Sequence, residues 1–206
     1  MIPDLLNKNI SPENYAEKLI KKPEQIKQYL EGLLSKNETY RYNCFKIMHI
    51  VSEKKPQILY PYWDTFENHL RSENDYHKMS AVLIIADLIS VDTERKFENI
   101  FNEFYDNLKS EKTFTPLYIV KSSGKIANSK PQLVKRITEI LLNIEKIHPG
   151  KQIELIKSAV IESFSDYFKY IENKKEIIDF TKKQVNSTSP KTRKTAKEFL
   201  KKYGEI

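Results

Sequence analysis

Four histidines are the residues of this chain best suited to metal binding or proton transfer, because imidazole ligates metals and titrates near neutral pH. His49, His69, His77 and His148 lie on four different segments, and none is paired with another histidine or a carboxylate in a spacing that repeats. Helical metal sites need ligands three or four residues apart on one face. We therefore expect no bound metal, and we interpret His69 and His77 as surface or turn residues.

Cys44 is the only cysteine, so no disulfide or cysteine-based zinc site can form within one chain. It lies in an apolar run from Tyr42 to Ile50 without a visible catalytic partner, which favours a core residue over a nucleophile. The N-terminus lacks the pattern of a signal peptide, and no run of about 18 apolar residues occurs. We expect a cytoplasmic protein without a membrane span. Phosphate-loop glycines are missing too, so no cofactor is expected.

Asp64, Glu67 and Asp87 are the carboxylates that could meet across neighbouring helices. Asp87 is the strongest candidate of the three for a special role, because it lies in the apolar run from Ile84 to Leu88. Its structural interpretation is a charge at the edge of the packed face or one bonded to a neighbouring loop N–H group. Its functional interpretation is a general base or a partner-binding acid.

The C-terminal region carries the strongest positive charge. Residues 150–206 contain 13 basic and 8 acidic groups, whereas residues 60–110 contain 5 and 10. An acidic middle beside a basic end fits a protein partner with complementary patches. The basic groups are either the solvated face of a terminal helix or contacts to nucleic-acid phosphates. The candidates for phosphate contact are Lys191, Arg193, Lys194, Lys197 and Lys201.

A pattern with a period of about 38 residues indicates which elements position these groups. Ser35, Ser72, Ser110 and Ser187 each close one amphipathic run and precede another. Self-similarity at such a period is typical of a solenoid. A second mark with the same period is a lysine followed by a proline, at Pro23, Pro56 and Pro131.

Each repeat is predicted to form two antiparallel helices, A and B, because apolar residues recur every three or four positions in both halves. The B helices are expected at 38–54, 74–91, 113–129, 151–172 and 190–203. The sequence therefore predicts one all-α domain over 1–206, an α-solenoid of about five helical hairpins. Its parts are an N-terminal capping helix in 1–22 and repeats at about 23–55, 56–93, 94–130, 131–173 and 174–206.

Local signals refine this prediction. Ser11, Asn74 and Ser189 are expected to cap the helices that follow them. Pro61 and Pro116 are expected to interrupt and kink their helices after one turn. Gly124 lies inside a B helix and is interpreted as a site of close helix packing, since the remainder of a phosphate-binding loop is missing.

The pattern resembles HEAT repeats, which form armadillo-like α-solenoids. The resemblance covers about 23–203 and depends on Pro61 within a helix A and on three helix B openings, near Tyr40-Arg41-Tyr42, Tyr76-His77-Lys78 and Thr192-Arg193-Lys194. Units three and four depart from the pattern. The resemblance implies a curved right-handed stack whose B helices line the concave side. The polar residues expected on that side are Arg41, Lys46, Lys78, Lys121 and Lys125.

Three functions follow as hypotheses. The first is a non-enzymatic scaffold that binds another protein through the concave surface; the partner is unidentified, and acidic proteins are among the candidates. The second is nucleic-acid binding through the basic C-terminal half. The third is base excision, because HEAT-like DNA glycosylases combine an aromatic-lined groove with a carboxylate and Trp63 stands beside Asp64 here. The acidic segment around this pair disfavours the third hypothesis.

Overall fold

The computed structural model describes residues 1–204, and those residues form helices and connecting turns without any strand. The predicted all-α fold class is therefore confirmed. The chain divides into two compact units, one covering Met1–Ile100 and one beginning at Phe101.

The first unit is built around two long helices. Its α-helices are α1 (Pro12–Lys21), α2 (Ile26–Gly32), α3 (Glu38–Lys54), α4 (Pro56–Leu59), α5 (Trp63–Leu70), α6 (Asp75–Leu88) and α7 (Lys96–Asp106), within which the first unit ends. Helices α1 and α2 pack against α3, α5 packs against α6, and α3 packs against α6. Short 3₁₀ turns at Pro3–Leu6, Pro23–Gln25, Tyr60–Tyr62 and Ile89–Val91 connect or extend them.

The second unit places one long helix between two others. Its further α-helices are α8 (Phe114–Ser129), α9 (Val134–Leu142), α10 (Ile144–Ile147), α11 (Ile153–Tyr167), α12 (Lys174–Gln184) and α13 (Pro190–Tyr203). Helix α11 packs against both α8 and α13, and α12 packs against α13. The 3₁₀ turns of this unit are Asn107–Lys109, Pro131–Leu133 and Phe168–Tyr170. All five long helices begin within two residues of the predicted B-helix starts.

The repeated serine is explained by a turn. In each of the four positions the serine Oγ accepts a hydrogen bond from the backbone N–H two residues later, at 3.1–3.2 Å. Such a turn reverses the chain between two helices and satisfies a backbone donor that has no helical partner. The four serines are Ser35, Ser72, Ser110 and Ser187.

Side-chain caps then start three of the five long helices, α3, α6 and α13. Asn37 accepts a 2.9 Å hydrogen bond from the N–H of Tyr40, and Asn74 accepts one of 3.0 Å from Tyr76. Ser189 caps α13 in the same way, and Ser11 caps α1. The caps predicted at 11, 74 and 189 are confirmed. Each cap pairs one of the N–H groups that a helix start leaves unsatisfied.

The two helix-interrupting prolines behave differently. Pro61 lies in the 3₁₀ turn that separates α4 from α5, as predicted. The kink expected at Pro116 is wrong, because α8 begins at Phe114 and runs on to Ser129. Pro116 is therefore in the first turn, where the missing N–H would have no intrahelical acceptor.

Hydrogen bonds between neighbouring long helices join residues about one period apart. Ser52 on α3 donates to Asp87 on α6, 35 residues away. Thr192 at the start of α13 donates to the carbonyl of Glu154 on α11, 38 residues away. Asn128 donates to the carbonyl of Asp166, also 38 residues away. Each of these bonds lies within one unit.

Candidate functional site

A groove of about 490 Å³ lies along α3 and α6 in the first unit. Its floor includes Leu33, Phe45 and Met79, which are apolar. Its rim carries cationic and aromatic side chains with one carboxylate. The rim residues are Lys8, Glu38, Arg41, Tyr42, Lys46 and Tyr76.

Two tyrosines of this rim are unusually exposed for their size. Tyr42 is 56% exposed and Tyr76 is 60% exposed. A cation lies over each ring: Lys46 Nζ is 4.7 Å from the centre of the Tyr42 ring, and the Arg41 guanidinium is 5.1 Å from the centre of the Tyr76 ring. Cation–π attraction of this kind restrains both partners. Tyr42 and Lys46 are four residues apart on α3, so helical geometry brings them together.

Arg41 has a second role. Its Nη1 donates a 2.8 Å hydrogen bond to the carbonyl of Ser35, in the turn before α3. The guanidinium is therefore held between that turn and Tyr76 of the neighbouring helix. Arg193 makes the equivalent bond to the carbonyl of Ser187 at 2.7 Å, again six residues back, and a further bond to Thr188. Each arginine thus holds the serine turn of its own repeat.

Lys8 reaches the groove because the N-terminal segment is tied to α3. The side-chain amide of Asn43 donates to the carbonyls of Leu5 and Asn7, both at 2.9 Å. The N–H of Ile2 donates to the hydroxyl of Tyr40. These bonds fix the backbone next to Lys8, and they give the 1–22 segment a role in the groove that the sequence did not indicate.

Only two of the five residues predicted for partner binding line the groove. Arg41 and Lys46 line the groove together, whereas Lys78 is half-buried on α6 outside its lining. Lys121 and Lys125 are exposed on α8, in the other unit, and Lys121 lies over the Tyr118 ring.

The residues predicted for nucleic-acid contact all lie on α13. Lys191 pairs with Glu162 at 3.2 Å, and Lys194 is 3.9 Å from Glu198. Lys197 and Lys201 are exposed. These pairings lie at the surface, since Lys191 and Lys194 keep 50% and 78% of their side chains exposed, whereas Arg193 is held by the turn before α13.

Asp87 is buried and links the two groove helices. Its carboxylate accepts a 2.5 Å hydrogen bond from the hydroxyl of Ser52, and His49 Nε2 is 3.5 Å from the same oxygen. A nucleophilic serine needs its hydroxyl bonded to a basic imidazole. Here serine and histidine both face the carboxylate, and Ser52 is buried. The cluster is suited to joining helices, because one donor to the carboxylate is a hydroxyl on the other long helix.

The other two carboxylates have separate surroundings. Glu67 accepts hydrogen bonds from the indole of Trp63 at 3.2 Å and from Arg71 at 2.7 Å. Asp64 is exposed on α5. Trp63 is fully buried, so it does not line a groove where a base could stack.

Two histidines are in the interior, and the surface or turn position expected for His69 is wrong. His69 is buried, its Nδ1 has no partner among the described residues, and its ring stacks on His77 with centres 5.4 Å apart. Burial, with a smaller contribution from His77, lowers the pKa of His69 to about 4. His77 is half-buried, close to Ser72 Oγ. His148 is also buried, with Nδ1 3.1 Å from the Leu108 carbonyl.

Cys44 is buried in the core, as expected, and burial raises the pKa of its thiol to about 11. Within residues 1–204 no three histidine, cysteine or carboxylate side chains cluster as metal ligands. None of the helices in that range has the length and apolar character needed to cross a membrane.

The sequence matches no protein-family model and no curated protein. Lys8, Tyr42 and Tyr76 are among the groove residues that the sequence did not indicate for binding. The two tyrosines occupy helix positions where an aromatic residue usually packs inside, and only their exposure identifies them as groove residues.

Proposed function

We propose that this chain is a non-enzymatic helical-repeat scaffold that binds another protein through the groove along α3 and α6. The observation that carries the proposal is the pair of exposed tyrosines, each restrained by a cation, on the rim of an apolar floor. Tyrosine and arginine are enriched at the energetic centres of protein interfaces. Restrained side chains also lose little conformational freedom when a partner binds.

The proposed architecture is a right-handed HEAT-like α-solenoid of about five hairpins. The recurring serine turns support it, because the same turn precedes four of the five long helices, α3, α6, α8 and α13. The hydrogen bonds between residues one period apart support it within each unit. In such a stack the B helices form the concave side, which would present the groove to an extended partner. A single buried thiol is consistent with the cytoplasmic location included in the proposal.

A peptide-display selection tests this function. A random peptide library is selected on the wild-type protein and counter-selected on the Tyr42→Ala/Tyr76→Ala variant. The matched control is Phe114→Ala, which removes another exposed aromatic residue at the start of a long helix, in the other unit. We expect to select peptides that bind the wild-type and control proteins but do not bind the double variant. Peptides that bind all three proteins equally, or no enriched peptides, would contradict the proposal.

Nucleic-acid binding is the second function, supported by the exposed lysines 197 and 201 on α13. Contacts to phosphates would make such binding sensitive to salt and indifferent to sequence. Fluorescence anisotropy with labelled DNA and RNA, at low and about 0.15 M salt, measures it. Loss of nucleic-acid binding in the Lys197→Glu/Lys201→Glu variant would support this second function. Equal binding by the wild type and the variant would show that these two lysines do not contact nucleic acid.

A further inference from the structure

We propose that the occupant of the α3–α6 groove is an extended acidic segment of a partner protein with one apolar anchor residue. This inference rests on the proposed function and specifies the chemistry of the partner. It depends on the charges of the rim, on the apolar floor, and on the contacts that hold both in place.

The rim charges select a negatively charged occupant. Lys8, Arg41 and Lys46 contribute three cations around the groove, and Glu38 contributes one carboxylate. The cations come from two separate parts of the chain, the N-terminal segment and α3, so they flank the groove from different elements. Carboxylates spaced along an extended peptide can approach these cations in turn, which favours both encounter and register.

The floor selects an apolar anchor. Leu33, Phe45 and Met79 all line the groove, where Phe45 and Met79 are half-buried and Leu33 is buried. Methionine adapts its shape to an incoming side chain. The Phe45 ring is held in place, because it stacks on His49 with centres 5.6 Å apart and planes within 9° of parallel. His49 in turn faces Asp87.

A peptide fits better than a nucleic-acid strand. A phosphate backbone carries one negative charge at every nucleotide and needs a continuous cationic track. Glu38 and Asp75 lie in the first turns of α3 and α6, the helices that form the groove. The chain from residue 60 to 110, which includes α6, has twice as many acidic as basic groups. Isolated peptide carboxylates can avoid these positions, whereas a regular phosphate track cannot.

The test compares three fluorescein-labelled probes by anisotropy with the full-length protein. They are a short peptide with several glutamates around one leucine, the same peptide with glutamine in place of every glutamate, and oligothymidylate. We expect the glutamate peptide to bind and the glutamine peptide to bind at least about tenfold more weakly, since each lost ion pair reduces affinity. Oligothymidylate should not compete with the glutamate peptide.

Charge reversal locates the site. Lys46→Glu should weaken the affinity for the glutamate peptide at least about tenfold. Lys27→Glu, the same reversal at an exposed position on α2, should leave the affinity unchanged. Circular dichroism melting establishes that both variants remain folded.

Several outcomes would overturn the inference. They are equal binding of the glutamate and glutamine peptides, equal effects of the two reversals, no binding of any probe, and binding of oligothymidylate alone. The display selection separates this failure from failure of the proposed function. Peptides that depend on Tyr42 and Tyr76 but lack acidic residues would refute the acidic occupant and preserve the protein-binding groove.

Discussion

Ser52 and Asp87 form a 2.5 Å hydrogen bond that joins the two long helices of the groove. Ser52 is 0% exposed and Asp87 is 5% exposed, so the bond lies in the interior. His49 faces the same carboxylate and stacks on Phe45, which forms part of the groove floor. A buried polar contact therefore connects the packing of α3 and α6 to the shape of the surface above it.

Removal of the Ser52 hydroxyl should destabilise the protein. Ser52→Ala leaves a buried carboxylate without one of its donors, and the expected loss in unfolding free energy is about 1–3 kcal/mol. Urea denaturation measures it. Ser90→Ala is the matched control, because exposed Ser90 donates to the backbone carbonyl of the same Asp87. Its effect should be smaller than that of Ser52→Ala, and equal effects would show that the buried bond has no special role.

Substitution of Arg41 and of Arg193 should have similar effects on the free energy of unfolding but different effects on peptide binding. Arg41→Lys and Arg193→Lys both lose the guanidinium hydrogen bond to the serine carbonyl of the preceding turn, and each should cost about 1 kcal/mol. Only Arg41→Lys should weaken peptide binding, because only Arg41 lies over Tyr76. Denaturation and anisotropy on the same two variants measure both quantities. A loss of peptide binding in Arg193→Lys would contradict the assignment of the groove to the first unit.

Stability should fall as the pH drops from about 6.5 to about 4 because of His69. The unfolded chain takes up this proton at the ordinary pKa of 6.5, whereas burial delays uptake in the folded chain to about 4. Protonation therefore favours unfolding in that window, by up to about 3 kcal/mol. His69→Leu removes the group and should reduce the slope. Urea denaturation across this pH range compares the two proteins, and identical slopes would show that His69 does not contribute.

Gly124→Ala should destabilise the protein despite the higher helix propensity of alanine. An added Cβ would lie 2.7 Å from the Cβ of Asp166 on α11 and would overlap its carboxylate. Propensity alone predicts a gain of about 0.5–1 kcal/mol, whereas overpacking predicts a loss of about 1–3 kcal/mol. The sign of the change in thermal or urea unfolding decides between them. Asp166→Ala should not rescue the variant, because it retains the Cβ.

Local features were accessible from the sequence because their causes are local. Asn74 and Ser189 cap helices through bonds to N–H groups two or three residues away, and Pro61 breaks a helix by its own ring. Pro116 was misjudged although the start of its helix was predicted within one residue. A proline in the first turn removes an N–H group that has no intrahelical acceptor, so it does not kink the helix.

The groove and the buried polar residues depend on which helices touch, and periodicity alone does not specify that. His69 was expected at the surface, but its ring packs between α5 and α6. Asp87 acquires its partner from a helix 35 residues earlier. Tyr42 and Tyr76 have the residue type of core positions, and the exposure of each ring is a property of the packed unit.

The most direct test of the central claim is calorimetric titration of the most enriched display peptide into three proteins: wild type, Tyr42→Ala/Tyr76→Ala, and Phe114→Ala. If the groove along α3 and α6 is the docking site, wild type and Phe114→Ala will bind with equal affinity. The double variant will bind at least about tenfold more weakly. Equal affinity for all three proteins would contradict the account, because the peptide would then bind elsewhere on the chain.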